Sequence, residues 1–252
     1  MKIVKWEQLP KEMQIEEVKR YYDILKHKKC SLFFKRVFDI VFSLLLLCIL
    51  FPVFLLLALA IKIDSPGPVF YRQVRVTQYN EKFRIFKFRS MVQNADQGPL
   101  VTVSADTRIT RVGKFVRKFR IDELPQLIDV LRGKMTFVGT RPEVPKYTEK
   151  YTPEMMATLL LPAGITSLAS IYYKDEAKLL DSGDDVDKVY VETVLPAKMY
   201  YNLKAIENYS FFGELKIMLM TFLAVLGKEM KCEYEFATSR DSKEETRGEA
   251  KL

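Results

Sequence analysis

The sequence predicts an α+β fold, mainly helical: a re-entrant membrane helix and amphipathic interfacial helices carry a cytoplasm-facing domain with a small β-hairpin. Three observations predict it. Residues 40–61 form a run of 22 without a charge. Two short segments, 69–76 and 82–88, flank the turn-forming Thr77-Gln78-Tyr79-Asn80 and read as paired strands. Further segments repeat apolar residues at the 3.6-residue period of a helix.

In chain order, residues 11–29 read as an amphipathic helix with Ile15, Val18, Tyr22 and Leu25 on one face, able to lie on a membrane or to dock on the main body. The apolar run exceeds the ~20 residues that cross a bilayer. Lys28, Lys29, Lys35 and Arg36 precede it, and Lys62, Arg72 and Arg75 follow. Positive flanks prefer the cytoplasm, and one straight span cannot keep both there. Pro52, near the middle, removes a helical hydrogen bond, so a break there would return the chain to its own side; a kinked spanning helix is the alternative. Asp39 is costly in hydrocarbon and is expected to pair with Arg36 or Arg75.

Asp64-Ser65-Pro66-Gly67-Pro68 is a dense turn signal that ends this element. In the second strand, Phe83, Ile85, Phe86 and Phe88 interleave with Arg84, Lys87 and Arg89. That pattern suits a base-stacking platform or a strand half in the core. Residues 90–106 read as a polar loop over the site. Residues 107–120 read as a helix with Ile109, Val112, Phe115, Val116 and Phe119 inward and Arg108, Arg111, Lys114 and Lys118 outward. Met135 to Glu143 reads as a short apolar piece ending in a Pro-fixed turn that displays Arg141, Leu161 to Thr166 as a second such turn, and residues 217–226 as a buried or interfacial helix. The acidic residues Asp181, Asp184, Asp185 and Asp187 lack calcium-loop spacing.

Charge and composition narrow the chemistry. The net charge is +8, and residues 62–150 alone hold 18 Lys and Arg against 9 Asp and Glu, which implies an anionic partner. Cys30, Cys48 and Cys232 have neither disulfide-framework nor zinc spacing. His27 is the only histidine, so carboxylates must carry any acid, base or nucleophilic chemistry. The carboxylates that stand out are Asp122 and Glu123 in Arg120-Ile121-Asp122-Glu123-Leu124-Pro125-Gln126-Leu127. Ile121, Leu124, Leu127, Ile128 and Leu131 share one helical face, so the pair is predicted to open a helix, where unpaired N–H groups favour negative charge. An N-cap Asp followed by a first-turn Glu has the same pattern.

The motifs together resemble the monotopic phosphoglycosyl transferases, the bacterial sugar transferase family. The resemblance rests on Lys35-Arg36-Val37-Phe38-Asp39-Ile40, the apolar run with its proline, Asp64-Ser65-Pro66-Gly67-Pro68-Val69-Phe70, Lys87-Phe88-Arg89-Ser90-Met91, Asp106 to Arg111, Asp122-Glu123-Leu124-Pro125-Gln126 and Val138-Gly139-Thr140-Arg141-Pro142, in family order. It implies a re-entrant helix and an active site at the cytoplasmic face of the bacterial inner membrane. It also implies transfer of a sugar 1-phosphate from a nucleotide diphosphate sugar, expected to be a UDP-sugar, to polyprenyl phosphate, with Mg2+. Asp122 would be the nucleophile, Glu123 would help place magnesium or orient the acceptor, and the two together are the candidate metal ligands. A diphosphate needs cationic clamps, and Lys87, Arg89, Arg111, Arg117 and Arg141 are the candidates; Asp106 joins them as a substrate-binding residue. The implied layout is an interfacial extension over 1–36, the membrane helix over 37–61, a catalytic domain over 62–230 and a polar tail over 231–252. Inner-membrane lipid is an expected partner and nucleic acid is not; self-association is left open. Two other classes remain: a non-catalytic membrane-tethered module binding anionic lipid or nucleic acid, and a structural subunit of a membrane complex.

Overall fold

A computed structural model describes residues 1–93, 95, 107–173 and 186–226. Helix α1, Glu16–Lys26, begins with Glu16 and Glu17 and ends with Lys26, the charge order that suits the helix dipole. It buries Val18, Tyr21, Tyr22 and Leu25 against the 3-10 helix Met155–Leu160 and a C-terminal helix. Tyr21 donates to Glu154 at 2.6 Å and Tyr22 to the Val4 carbonyl at 3.0 Å. Of the two arrangements open to it, α1 therefore takes the docked one.

Helix α2, Lys29–Asp64, runs for 36 residues and passes through Pro52 without a break, which corrects the predicted interruption. A proline inside a helix forfeits one hydrogen bond, but in an apolar stretch a non-helical break would leave more backbone groups unpaired. Only the ends of α2 are buried: Leu32, Lys35, Asp39 and Ser43 at one, Ile61 at the other. Lys35 donates to the Val138 carbonyl at 2.8 Å and to Glu214 at 2.6 Å. Arg36 donates to the carbonyls of Val130 and Leu131. Asp39 pairs with neither predicted arginine; it accepts from the Thr136 hydroxyl at 2.7 Å and the Phe137 amide at 3.3 Å. Neutral donors satisfy that carboxylate because Arg36 is spent on carbonyls.

The hairpin forms as predicted. Strands β1, Phe70–Val76, and β2, Lys82–Phe88, pair antiparallel from Phe70↔Phe88 to Val76↔Lys82. Phe83, Ile85 and Phe88 are buried, which is the half-core reading of β2. Helix α3 is shorter than predicted, Arg111–Lys118, because Thr110 caps it by accepting from the Gly113 amide at 2.9 Å. Val116 faces Ile61 and Phe88, whereas Phe115 and Phe119, predicted inward, are exposed, their tilted rings 5.0 Å apart between centroids.

Helix α4, Gln126–Leu131, leads into β3, Met135–Val138, which pairs parallel with β4, Ala163–Thr166. Beyond the pair the chains touch: a Cβ on Gly164 would lie 2.2 Å from the Gly139 backbone, so glycine is required there. Helix α5, Pro145–Thr148, lies between these strands, and α6, Leu168–Tyr172, follows them. Helix α7, Val186–Val189, passes through a π-helical turn, Tyr190–Val194, into α8, Leu195–Glu207, against which α1 docks. Helix α9, Phe211–Val225, buries Ile217 and leaves Phe212, Leu219, Phe222 and Val225 exposed. A core of Leu127, Val130, Met135 and Phe137 gathers α4 and β3 against Phe38, Phe42 and Leu46 of α2. Asp187 pairs with Lys146 and Tyr147; Asp181, Asp184, Asp185 and the tail 231–252 lie outside the described residues.

Candidate active site

Arg120 adopts a left-handed conformation, φ 53°, and turns the chain from α3 into a 3-10 turn, Ile121–Glu123. Asp122 and Glu123 occupy that turn, and α4 starts only at Gln126, so the pair precedes the helix rather than opening it. The field around them comes from side chains. Arg141 grips both oxygens of Glu123, Nη1 on Oε2 at 3.0 Å and Nη2 on Oε1, while Lys87 Nζ reaches Oε1 at 3.1 Å. Burial works against ionising Glu123, but Arg141 and Lys87 outweigh it and hold its carboxyl well below the usual range. Asp122 goes the other way. Burial and the charge of Glu123 push its carboxyl up, against the opposing pull of Lys87 and Arg117.

Asp122 and Glu123 line a cleft of about 860 Å³ with Lys87, Arg117 and Arg141. That volume lies within the range of ligand pockets, roughly 300–1,000 Å³. Of the predicted clamps, Lys87, Arg89, Arg117 and Arg141 all line this cleft. Arg89 also braces the fold. Its guanidinium donates to the Ser65 carbonyl at 2.7 Å, the Ser65 hydroxyl at 2.9 Å and the Pro66 carbonyl at 2.8 Å, fastening the end of α2 to the hairpin. Gly67, φ 120°, makes room, since a Cβ there would come within 2.1 Å of Arg89. Arg111 stands exposed at the start of α3, outside the cleft lining, where its charge acts on Asp64. Asp106 lies outside the described residues.

Sequence reasoning missed the other wall. Tyr71, Gln73 and Arg75 of β1 line the cleft, as do Arg108 and Arg120. The available signal was period two: Tyr71, Gln73 and Arg75 alternate along one strand face. Arg75 donates to Gln73 through Nε and Nη2, at 3.0 and 2.6 Å, and to the Pro142 carbonyl at 3.1 Å. Across the strand Arg72 packs on the Phe86 ring, 3.4 Å from its centroid.

Comparison with known proteins shows the family. The family model described as Bacterial sugar transferase matches residues 30–228. The chain belongs to that family. The bacterial sugar transferase match begins at α2, so α1 lies outside it. A UDP-N-acetylgalactosamine-undecaprenyl-phosphate N-acetylgalactosaminephosphotransferase from Aeromonas hydrophila is 35% identical over 198 residues, 77% of this chain and 44% of that protein. A UDP-glucose:undecaprenyl-phosphate glucose-1-phosphate transferase from Caulobacter vibrioides is 36% identical over 197 residues, 76% of this chain and 69% of that protein. A putative undecaprenyl-phosphate N-acetylgalactosaminyl 1-phosphate transferase from Bacillus subtilis is 43% identical over 122 residues, 48% of this chain and 68% of that protein. The chain spans 44% of the Aeromonas relative's length and 40% of a Klebsiella pneumoniae relative's.

Proposed function

We propose that this chain is a phosphoglycosyl transferase that moves a sugar 1-phosphate from a UDP-sugar to polyprenyl phosphate at the cytoplasmic face of the inner membrane. The observation that carries the reading is the unequal carboxylate pair: Glu123 pinned as an anion by Arg141 and Lys87, and Asp122 beside it without a salt bridge among the described residues, both on a basic cleft. The activities named for the relatives supply the donor and acceptor class.

In this reading a carboxylate oxygen of Asp122 attacks the sugar-bearing phosphorus. The bond from that phosphorus to the bridging oxygen breaks, and UMP leaves with the electron pair. An oxygen of polyprenyl phosphate then attacks the same phosphorus and returns Asp122 as a free carboxylate. Arg117 faces Asp122 and is placed to balance charge on the transferring group. Two adjacent carboxylates in a buried site, with the charge of Glu123 opposing that of Asp122, fit a magnesium ion that takes one or two protein oxygens and completes its shell with phosphate. Asp122 and Glu123 would hold it, and it would supply charge neutralisation on the diphosphate. Among the described residues no third acidic, His or Cys group joins them, consistent with phosphate oxygens providing the rest.

The test incubates purified protein with a panel of UDP-sugars and magnesium, measures UMP release with and without polyprenyl phosphate, and weighs the intact protein after a donor-only quench. Expected are UMP release before acceptor is added, a mass increase of one sugar phosphate, and neither in Asp122→Asn, which keeps the side chain's shape. Full activity in Asp122→Asn with sequential kinetics would end the covalent reading. UDP-sugar binding without turnover would favour a binding module.

A further inference from the structure

Two residues beyond Arg141, at Glu143, begins a buried charged cluster that is not part of the cleft lining and that the proposed chemistry does not use. Glu143, Tyr190 and Lys198 are exposed by only 6%, 4% and 6%. The Tyr190 hydroxyl donates to Glu143 Oε1 at 2.7 Å, Lys198 Nζ donates to the Tyr190 oxygen at 3.2 Å, and Lys198 stands 3.7 Å from Glu143. The three residues come from distant parts of the chain. Glu143 follows β3, Tyr190 opens the π-helical turn, and Lys198 lies in the first turns of α8. A single π-helical turn inside a helix is uncommon and is found mostly at functional sites.

The backbone at Glu143 is held as well. The Val76 amide donates to the Glu143 carbonyl at 2.9 Å, and Arg75 donates to the Pro142 carbonyl at 3.1 Å. The segment 141–143 is thereby gripped by β1 through its main chain and by α8 and the π-helical turn through its side chain. Its exposed end is Arg141, with two bonds to Glu123. A buried ion pair is a poor way to gain stability, because desolvation offsets most of its attraction and apolar side chains would pack there as well. What it does supply is one geometry, since charged partners tolerate little displacement in a low dielectric.

We infer that Glu143, Tyr190 and Lys198 are positioning residues for the transfer reaction: they fix the 141–143 segment so that Arg141 meets Glu123 with both nitrogens. The inference rests on the proposed function for its kinetic consequence, but not for its structural one. Arg141 is 31% exposed and open to phenylglyoxal, so its placement is readable without turnover.

The experiment uses the full chain in lipid nanodiscs. Glu143→Gln/Lys198→Met removes both charges together; Tyr190→Phe removes only a hydroxyl and serves if the double variant fails to fold. Each is made with native Arg141 and on Arg141→Ala. With native Arg141, kcat/KM for UMP release should fall about ten- to a hundredfold, the effect of misplacing a group by an ångström or so. On Arg141→Ala the same change should cost less than about twofold, because a residue acting only through Arg141 has nothing left to position. Phenylglyoxal labelling of native Arg141, read by peptide mass spectrometry, should accelerate in the variants. Equal losses in both backgrounds, or unchanged labelling, would overturn the inference. A wild-type protein without turnover would sink the proposed function instead, and labelling alone would then decide the positioning role.

Discussion

Asp122 and Glu123 are neighbours in sequence whose surroundings drive their ionisation in opposite directions, and that contrast is measurable. Burial and the charge of Glu123 raise Asp122, so the acid limb of kcat/KM should fall off at a pH above the ~3.9 of an ordinary aspartate. A nucleophile must be deprotonated, so the rate rises with pH through that limb. Glu123→Gln removes the like charge and frees Lys87 and Arg141 to act on Asp122. The limb should then move to lower pH even as the maximal rate drops; a limb that stays or moves up contradicts the assignment. The sign for stability runs from Glu123. Its folded-state carboxyl is depressed, so its contribution is present above the usual glutamate range and is lost as pH falls through the lowered value.

Between elements, a contact that ties the long apolar helix α2 to the hairpin is Arg89. It lies along the cleft, satisfies carbonyls at the end of α2 and is 5% exposed, so its guanidinium is committed to holding the fold. Arg89→Ala leaves Ser65 and Pro66 acceptors unpaired and should destabilise the protein by about 2–3 kcal/mol, while the KM for donor in the folded fraction stays unchanged. Thermal unfolding beside steady-state kinetics separates the two; a raised KM with unchanged stability would return Arg89 to the clamp set. The physical reason this was illegible is that Lys87-Phe88-Arg89 alternates regularly, and alternation does not say which partner a charged side chain meets. The hairpin, α1 and the existence of α2, α3 and α9 were legible because each is set by local period and turn chemistry. The β3–β4 pair was not, because four-residue strands 28 positions apart carry no local signal and are selected by the Gly139–Gly164 contact. The outward turn of Phe115 and Phe119 was hidden likewise, since period alone does not choose between core and exposed surface. Asp122 and Glu123 were legible as a pair, but the cations that split their ionisation arrive from β2 and from beyond β3.

At the scale of the whole molecule the apolar surface and the basic cleft must coexist at a membrane. Ile49, Leu56 and Leu59 of α2 are 61%, 69% and 61% exposed, and Phe212 and Val225 of α9 are 80% and 72% exposed, a surface far larger than water tolerates. One body holds both ends of α2. Lys35 and Asp39 bind the β3 region and Glu214, while Asp64 accepts from the Val112 amide of α3 at 2.9 Å. From Asp39 to Asp64 a straight helix rises about 38 Å at 1.5 Å per residue, more than the ~30 Å hydrocarbon core. A straight crossing would therefore place these anchors on opposite sides, and the body that grips both would have to run through the bilayer with its Arg and Lys side chains. We propose instead that α2 enters and returns on one face, bending at Pro52 within a continuous helix. With Cys30, Cys48 and Cys232 changed to Ser, Lys28→Cys and Lys62→Cys should both resist an impermeant maleimide in spheroplasts and both react after lysis. Pro52→Leu should favour the straight helix and expose one of the two. Labels on opposite faces in the protein with native Pro52 would remove the re-entrant topology.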